Sequence, residues 1–498
     1  VRERDILLDV AERPRAPRRV AWVVAAVALV AALSVPGVPA GASITLVAFG
    51  VAWAVALAAP SDLDRVSSVY GVLALALAAM PLIRASEWVL ALDLAAATGL
   101  GALAVVRALA WREILRAPFS VMSKVWHAVG FVVTPLLPRR GVPRRLGPVL
   151  RGAALGSLLL LVFGMLFASA DRAFARIASD LLLPNVDLGL LPARIVVFGA
   201  TLVGSGALIL AGSRYALASD GDVSVSEPTR RLGRTEWLTA LTLLDLLFVG
   251  FVLVQITVLF AGHRYVLDTE GVTYAEYARQ GFFQLLAVGA LTLGVIAGAV
   301  RWARREGSRD TLVLRLLLGT LSLLTLVILA SALRRLNLYE DAYGLTRLRF
   351  SVHATILWMA GIFVLLLVAG ATMRTSWLPR VSVLFTAVGI LLFTLVNPDG
   401  IVAARNVERF ETTGALDLGY VQSLGVDAVP ALAALPPGIR CWALQPIAEG
   451  LTSSDPLLGW NLSRARARSV LGSRVGATAP GCDPRALLRV PSGPLEGI

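Results

Sequence analysis

The stretch WLTALTLLDLLFVGFVLVQITVLF, residues 237–260, decides the fold. It carries one charge, Asp245, in a run long enough to cross a bilayer, for which about 20 apolar residues suffice. Working outward, comparable runs fall near 20–34, 42–59, 67–83, 88–106, 150–170, 192–212, 281–300, 311–331, 351–370 and 380–396. The composition agrees: 57% of residues are hydrophobic and 16% charged. Soluble domains hold about 25% charged residues, and a single core stops growing near roughly 250–300 residues. The pattern predicts an all-α, polytopic transmembrane helix bundle of about eleven spans, closed by a small helical C-terminal tail.

The net charge is +13, almost all of it arginine, with Lys124 the lone lysine. No aromatic-plus-basic platform accompanies it, so nucleic-acid binding is not expected. The arginines gather in alternate connections. Arg2, Arg4, Arg13, Arg15, Arg18 and Arg19 open the chain; Arg139, Arg140, Arg144, Arg145, then Arg230, Arg231, Arg234, then Arg301, Arg304, Arg305 and Arg309 follow. These odd-numbered connections hold about twenty-six Lys/Arg against roughly ten in the others. Cytoplasmic loops are the basic ones, so the expectation is a multi-pass plasma-membrane protein with a cytoplasmic N-terminus and an extracytoplasmic C-terminus. Arg334, Arg335, Arg347 and Arg349 break the rule, in a connection placed outside; either partners hold them there or the span count is off by one. The first span has a basic flank and small residues after it, as a signal peptide does, but a second span follows at once. The bias to Arg, Ala, Val and Leu suggests a GC-rich bacterial genome. Trp88, Trp237, Trp302 and Trp377 fall near span ends, where indoles prefer the headgroup region.

Three regions follow. Residues 1–149 form a four-span region plus a cytoplasmic interfacial segment. Its Trp111–Val133 stretch mixes apolar residues with Arg112, Arg116 and Lys124, and a short extra span near 126–137 is the alternative. Residues 150–396 form a seven-span core. Residues 397–498 form the extracytoplasmic tail. There Asn397-Pro398-Asp399 reads as a helix start, with a helix through about Thr412 and Gly414 as its stop. Asp417 caps a second helix, Pro436-Pro437-Gly438 breaks the chain, and a third helix is expected near 456–471. Cys441 and Cys482 both lie in this tail, and an oxidising compartment permits one disulfide between them.

Four stretches depart from generic membrane sequence: 167–172 with Asp171; 273–283 with Tyr274, Glu276, Tyr277 and Arg279; 338–349 with Tyr339, Glu340, Asp341, Tyr343, Arg347 and Arg349; and 397–409 with Asn397, Asp399, Arg405, Asn406 and Arg409. By the charge argument all four lie at the outer face. Thr273-x-x-Glu276 also fits a capping box, the tyrosines also fit interfacial packing, and the acids and arginines also fit internal ion pairs. The functional alternative is a polar, Arg-lined site that holds an anionic envelope molecule or orders the tail. Within the spans, Asp245 and Arg315 are costly in hydrocarbon and are expected to pair, or to mark a substrate or proton path. His353 reads as an interfacial histidine. With His127 and His263 the only others, neither a metal nor a cofactor is expected, and no phosphate loop, H-E-x-x-H or G-x-S-x-G pattern occurs.

The same stretches carry a resemblance. Tyr274-Ala-Glu-Tyr-Ala-Arg-Gln-Gly-Phe282, Tyr339-Glu-Asp-Ala-Tyr-Gly-Leu-Thr-Arg-Leu-Arg349, Asn397-Pro-Asp399 with Arg405-Asn406 and Arg409, Gly414-x-x-Asp417 and Asp427-Ala-Val-Pro-Ala431 resemble actinobacterial membrane proteins of the domain-of-unknown-function family 4173, related to group 4153. The resemblance is best from Arg151 to Leu432; the first four spans share only general hydrophobicity. It implies that the outer-face motifs belong together and implies no reaction.

Three functions fit. The first is an envelope-associated membrane protein whose outer polar site binds an extracytoplasmic protein or an anionic envelope lipid without turnover. The second is a transporter or flippase, supported by Asp245 and Arg315 but by no clear internal repeat. The third is a membrane enzyme on a lipid-linked substrate, with Glu276, Asp341 and Asp399 as acid or base groups.

Overall fold

The computed structural model describes residues 15–58, 64–136, 190–212, 232–260, 282–451 and 454–474. Among them the chain is helical and has no strand, only a bridge between Leu232 and Ala303. It is an all-α bundle, and nine of its described helices are long and apolar enough to cross a membrane. Two compact units emerge, residues 1–221 with 453–462, and residues 222–452 with 463–498.

The first unit holds α1 (Arg18–Ser34), α2 (Ala42–Ala58), α3 (Arg65–Ala78), α4 (Glu87–Val106), α5 (Trp111–Val133) and α6 (Leu191–Ala211). Small residues set its spacing. A side chain added at Gly206 of α6 would stand 2.8 Å from Val132 and 3.3 Å from the Ala128 carbonyl, so the backbones of α5 and α6 approach closely. Ala16, Val20, Val24, Ala54, Phe131, Val132, Leu202, Ile209 and Leu210 form the core. Residues 454–462 belong here too. The buried Asn461 amide donates to the carbonyls of Pro81 and Arg84, both at 2.7 Å, satisfying groups left open after α3.

The second unit holds α7 (Arg234–Phe260), α8 (Phe282–Trp302), α9 (Ser308–Tyr343), α10 (Arg347–Thr372) and α11 (Leu378–Leu395). The tail helices follow: α12 (Pro398–Thr413), α13 (Leu418–Gln422), α14 (Val429–Leu432), α15 (Pro437–Gly450) and α16 (Leu462–Arg474). Phe248, Val252, Leu321, Ile328, Leu329, Ile356, Met359 and Phe363 fill the space between α7, α9 and α10. Two polar links fix the register of α7 on α9. Arg234 meets Asp310 at 3.1 Å, and Gln255 accepts from Ser331 at 2.7 Å. Both join residues 76 positions apart, so the two helices run parallel, and Asp245 lies level with Leu321. Parallel direction is what two spans separated by one other span require.

A second core lies among α12–α15. Val402, Ala403, Val421, Leu424, Val429, Leu432, Leu435, Ala443 and Leu444 are buried there, and Leu345 and Phe350, from the α9–α10 junction, pack against them. Each buried valine or leucine there contributes about 1.5–3 kcal/mol of transfer free energy.

Several expectations change. Residues 332–343 do not form a loop: α9 runs on through them to Tyr343, and only Gly344–Thr346 separates it from α10. Leucine and arginine are good helix formers, and nothing before Gly344 stops the helix. The Pro436-Pro437 pair starts α15 rather than only breaking the chain, because proline suits the first helical position. The third predicted tail helix begins at Leu462. Trp237 does not face headgroups; it is buried and its indole N–H donates to the Arg304 carbonyl at 3.1 Å. The predicted span at 150–170 lies outside the described residues.

Candidate functional site

The α9–α10 junction and the start of α12 bring most of the predicted outer-face residues together. Gly344 ends α9 at φ 80°, ψ 170°, a conformation open to glycine and strained for other residues. Thr346 caps α10, its hydroxyl accepting from the Arg349 N–H at 3.3 Å. At the other partner, Asn397 adopts φ 61° and caps α12, accepting from the Gly400 N–H at 3.1 Å. Its amide also donates to the Asp427 carbonyl at 3.0 Å.

Arg347 and Asp399 join these two starts. The guanidinium donates from Nε to Asp399 Oδ1 and from Nη2 to Oδ2, both at 2.7 Å. The Arg347 side chain is 31% exposed and that of Asp399 is fully buried. A two-pronged pair of this kind is among the strongest and most directional polar contacts available. The Arg347 backbone N–H donates to the Tyr420 hydroxyl at 2.6 Å. Burial pushes the Tyr420 phenol up, and the N–H it accepts opposes that shift. Asn406 completes the join, its amide donating at 2.7 Å to the carbonyls of Leu345 and Val402. Behind it, the buried Asp427 accepts from the Ser463 hydroxyl.

Around the junction, Arg349 lies over the Tyr339 ring at 4.0 Å and donates to the Gly344 carbonyl. Tyr339 and Tyr343 meet edge to face at 5.0 Å. The His353 ring sits between Glu340 Oε1 at 2.9 Å and Asn337 Oδ1 at 2.7 Å. Arg335 donates to Gln255 at 3.1 Å. Of the four arginines that broke the charge rule, Arg335, Arg347 and Arg349 therefore have partners. At the rim, Arg405 pairs with Glu408 at 2.9 Å, both exposed, and Arg409 donates to the Ala415 carbonyl at 3.5 Å. Asp341 is exposed.

Other predicted residues are not brought here. Asp171, Tyr274, Glu276, Tyr277 and Arg279 lie outside the described residues, as does Cys482; Cys441 lies on α15. Asp245 and Arg315 do not pair. Asp245 is buried, 7% exposed, and among the described residues neither carboxylate oxygen has a hydrogen-bond partner. The register explains the miss: Arg315 sits six residues before Leu321, the residue level with Asp245, roughly 9 Å along the axis. Among the described residues no group of three His, Cys, Asp or Glu could hold a metal. Sequence reasoning missed Tyr420 and Ser463, which carry no local signal, and gave Asp427 only as part of a resemblance.

A family model described as Domain of unknown function (DUF4153) matches residues 71–435. It reaches back through α4 into α3, further than the motifs alone, and stops between α14 and α15. No curated protein and no solved structure matches the chain.

Proposed function

From the premise that this chain belongs to the family described as Domain of unknown function (DUF4153), we propose that it is a plasma-membrane protein of the cell envelope that presents a clasped helical platform and does no chemistry. The α9–α10 junction grips the cap of α12, and α12–α16 stand as a preformed surface for an extracytoplasmic protein or an anionic envelope lipid. Its motifs at 339–349 and 397–409 support a kinship with the actinobacterial 4173-type proteins. The carrying observation is the full burial of Asp399 under a two-pronged arginine. Residues spent on satisfying one another hold a surface in shape; they are not free to turn over a substrate. A rigid surface loses less entropy on binding, so preorganisation raises affinity.

The orientation is tested with single cysteines in a chain lacking Cys441 and Cys482. Ser308→Cys and Glu411→Cys are both at exposed positions. With intact cells, a membrane-impermeant maleimide is expected to label position 411 and to spare 308 until lysis. The opposite pattern moves the platform to the cytoplasm and sinks the envelope reading. A disulfide between Cys441 and Cys482 is proposed on the same orientation.

Asp245 favours transport as the second reading. A buried carboxylate without a partner costs several kcal/mol unless neutralised, so such residues in spans usually serve substrate or ion movement. If Asp245 serves no folding role, Asp245→Leu should raise the melting temperature of the reconstituted protein, by about 1–3 kcal/mol in stability. A lowered melting temperature would make Asp245 structural and remove the support for transport.

A further inference from the structure

Helix α5 shows three faces of different chemistry. Trp111, Leu115, Phe119, Met122, Trp126 and Val129 recur at spacings of four and three and are all exposed, Phe119 at 75% and Trp126 at 89%. At 3.6 residues per turn they occupy one arc of about 80°. Arg112, Arg116, Ser123 and His127 fill the next arc and are exposed as well. The third face, with Ala117, Ala128, Phe131 and Val132, is buried.

The buried face says where the helix is anchored. Phe131 and Val132 share a core with Ala16 and Val20 at the start of α1, Ala54 near the end of α2, and Ile209 and Leu210 at the end of α6. The Ala16 N–H donates to the Phe131 carbonyl at 3.0 Å. The C-terminal end of α5 is therefore fixed at the pole of this unit where α1 begins and α2 and α6 end. That pole carries the exposed Arg15, Arg18 and Arg19.

Length and mean apolarity alone would allow α5 to cross a bilayer. The distribution of its residues argues otherwise. A crossing helix presents apolar side chains to lipid along its whole free surface, whereas α5 has the polar groups Arg112, Arg116, Ser123 and His127 along one half of its free surface and large apolar groups along the other. Phe119 and Trp126 border the Arg112–Arg116 arc, so an apolar arc lies directly beside a polar one, the arrangement of a helix half in water and half in acyl chains.

We propose that α5 lies flat in the headgroup layer of the leaflet at the Arg18–Arg19 pole and binds anionic phospholipid there. Leu115, Phe119, Met122 and Trp126 reach about 5–10 Å into the acyl boundary, as surface helices do. Arg112 and Arg116 meet the lipid phosphates. Charge selects the lipid, because an apolar stripe alone does not distinguish zwitterionic from anionic headgroups. This inference does not rest on the clasp reading, since no residue of the clasp takes part.

The test uses the full chain, without Cys441 and Cys482, reconstituted in vesicles of phosphatidylcholine and phosphatidylglycerol. A fluorescent label is placed at Phe119→Cys, Trp126→Cys or Ser123→Cys and quenched by lipids brominated near the headgroup or at the chain end. Labels at 119 and 126 should be quenched by the shallow bromines and spared by the deep ones, with 123 spared by both. Brominated phosphatidylglycerol should quench more than the phosphatidylcholine form, by about fivefold in local enrichment per arginine. Arg112→Gln with Arg116→Gln should remove that preference and keep the shallow depth. Deep quenching at 123 and 126 would mean that α5 crosses the bilayer, and no quenching at 119 would mean that the stripe faces a protein. Equal quenching by the two lipids would remove anionic selectivity. Each of these three results overturns the proposal.

Discussion

Arg347→Ala is expected to release the tail helices and to cost about 3–5 kcal/mol, the penalty for a buried charge left without its partner. The magnitude comes from Asp399 rather than from lost attraction. Arg347 is 31% exposed, so water screens part of the Coulomb term, but the Asp399 side chain has no exposure at all. Asp399 keeps some help as an acid in the first turn of α12, where the helix dipole contributes about 0.3–1 kcal/mol. That is too little to replace the arginine, so the lower part of the range is the expected one. Limited proteolysis should show new cuts around α12 and α13 while the membrane helices resist. Arg347→Met combined with Asp399→Leu should recover most of the loss, since a buried ion pair is often replaced by apolar groups at little cost. An unchanged digestion pattern and melting temperature in Arg347→Ala would sink the clasp reading. Failure of the double variant to recover would show that the tyrosine, asparagine and arginine contacts cannot be separated.

The second large effect is expected at Gly344. Its φ of 80° with ψ of 170° lies where only glycine rests easily, and placing another residue there costs about 1–3 kcal/mol. Space is short too. An added Cβ would stand 2.6 Å from Asn406 Oδ1, so the amide must move. That amide donates to the carbonyls of Leu345 and Val402 inside the core, and losing such bonds costs a further 1–3 kcal/mol or so. Gly344→Ala should therefore lower the melting temperature as much as the arginine variant. Gly344→Ala with Asn406→Ala should recover less than the ion-pair double variant, because the backbone strain stays. Wild-type stability in Gly344→Ala would mean that the junction is slack, and the platform would lose its rigidity.

The apolar helices from α3 and α4 through α6 to α11, the amphipathic nature of α5 and the caps at Asn397 and Asp417 were legible in the sequence. Each depends on residues a few positions apart: a 20-residue apolar run, a repeat of three and four, an asparagine before a proline. Asp417 does accept from the Tyr420 N–H at 2.9 Å, and Asn397 does cap α12. The motifs at 339–349 and 397–409 also stood out as unusual, and the structure brings their central residues, Arg347, Asn397, Asp399 and Asn406, into one join.

What the sequence could not show was partnership. Asp245 and Arg315 were the obvious pair, being lone charges of opposite sign in apolar runs separated by one other. Whether two such residues meet depends on the axial register of α7 on α9, and that is set elsewhere, by Arg234 with Asp310 and Gln255 with Ser331. Arg347 and Asp399 lie 52 positions apart with α10 and α11 between them, and Tyr420 lies 73 positions from Arg347. No local pattern encodes such distances. Apolar length and helical period are properties of a segment and are written in it. Which polar groups end up dry and against one another depends on how the packed helices slide and turn, and that only the tertiary structure decided.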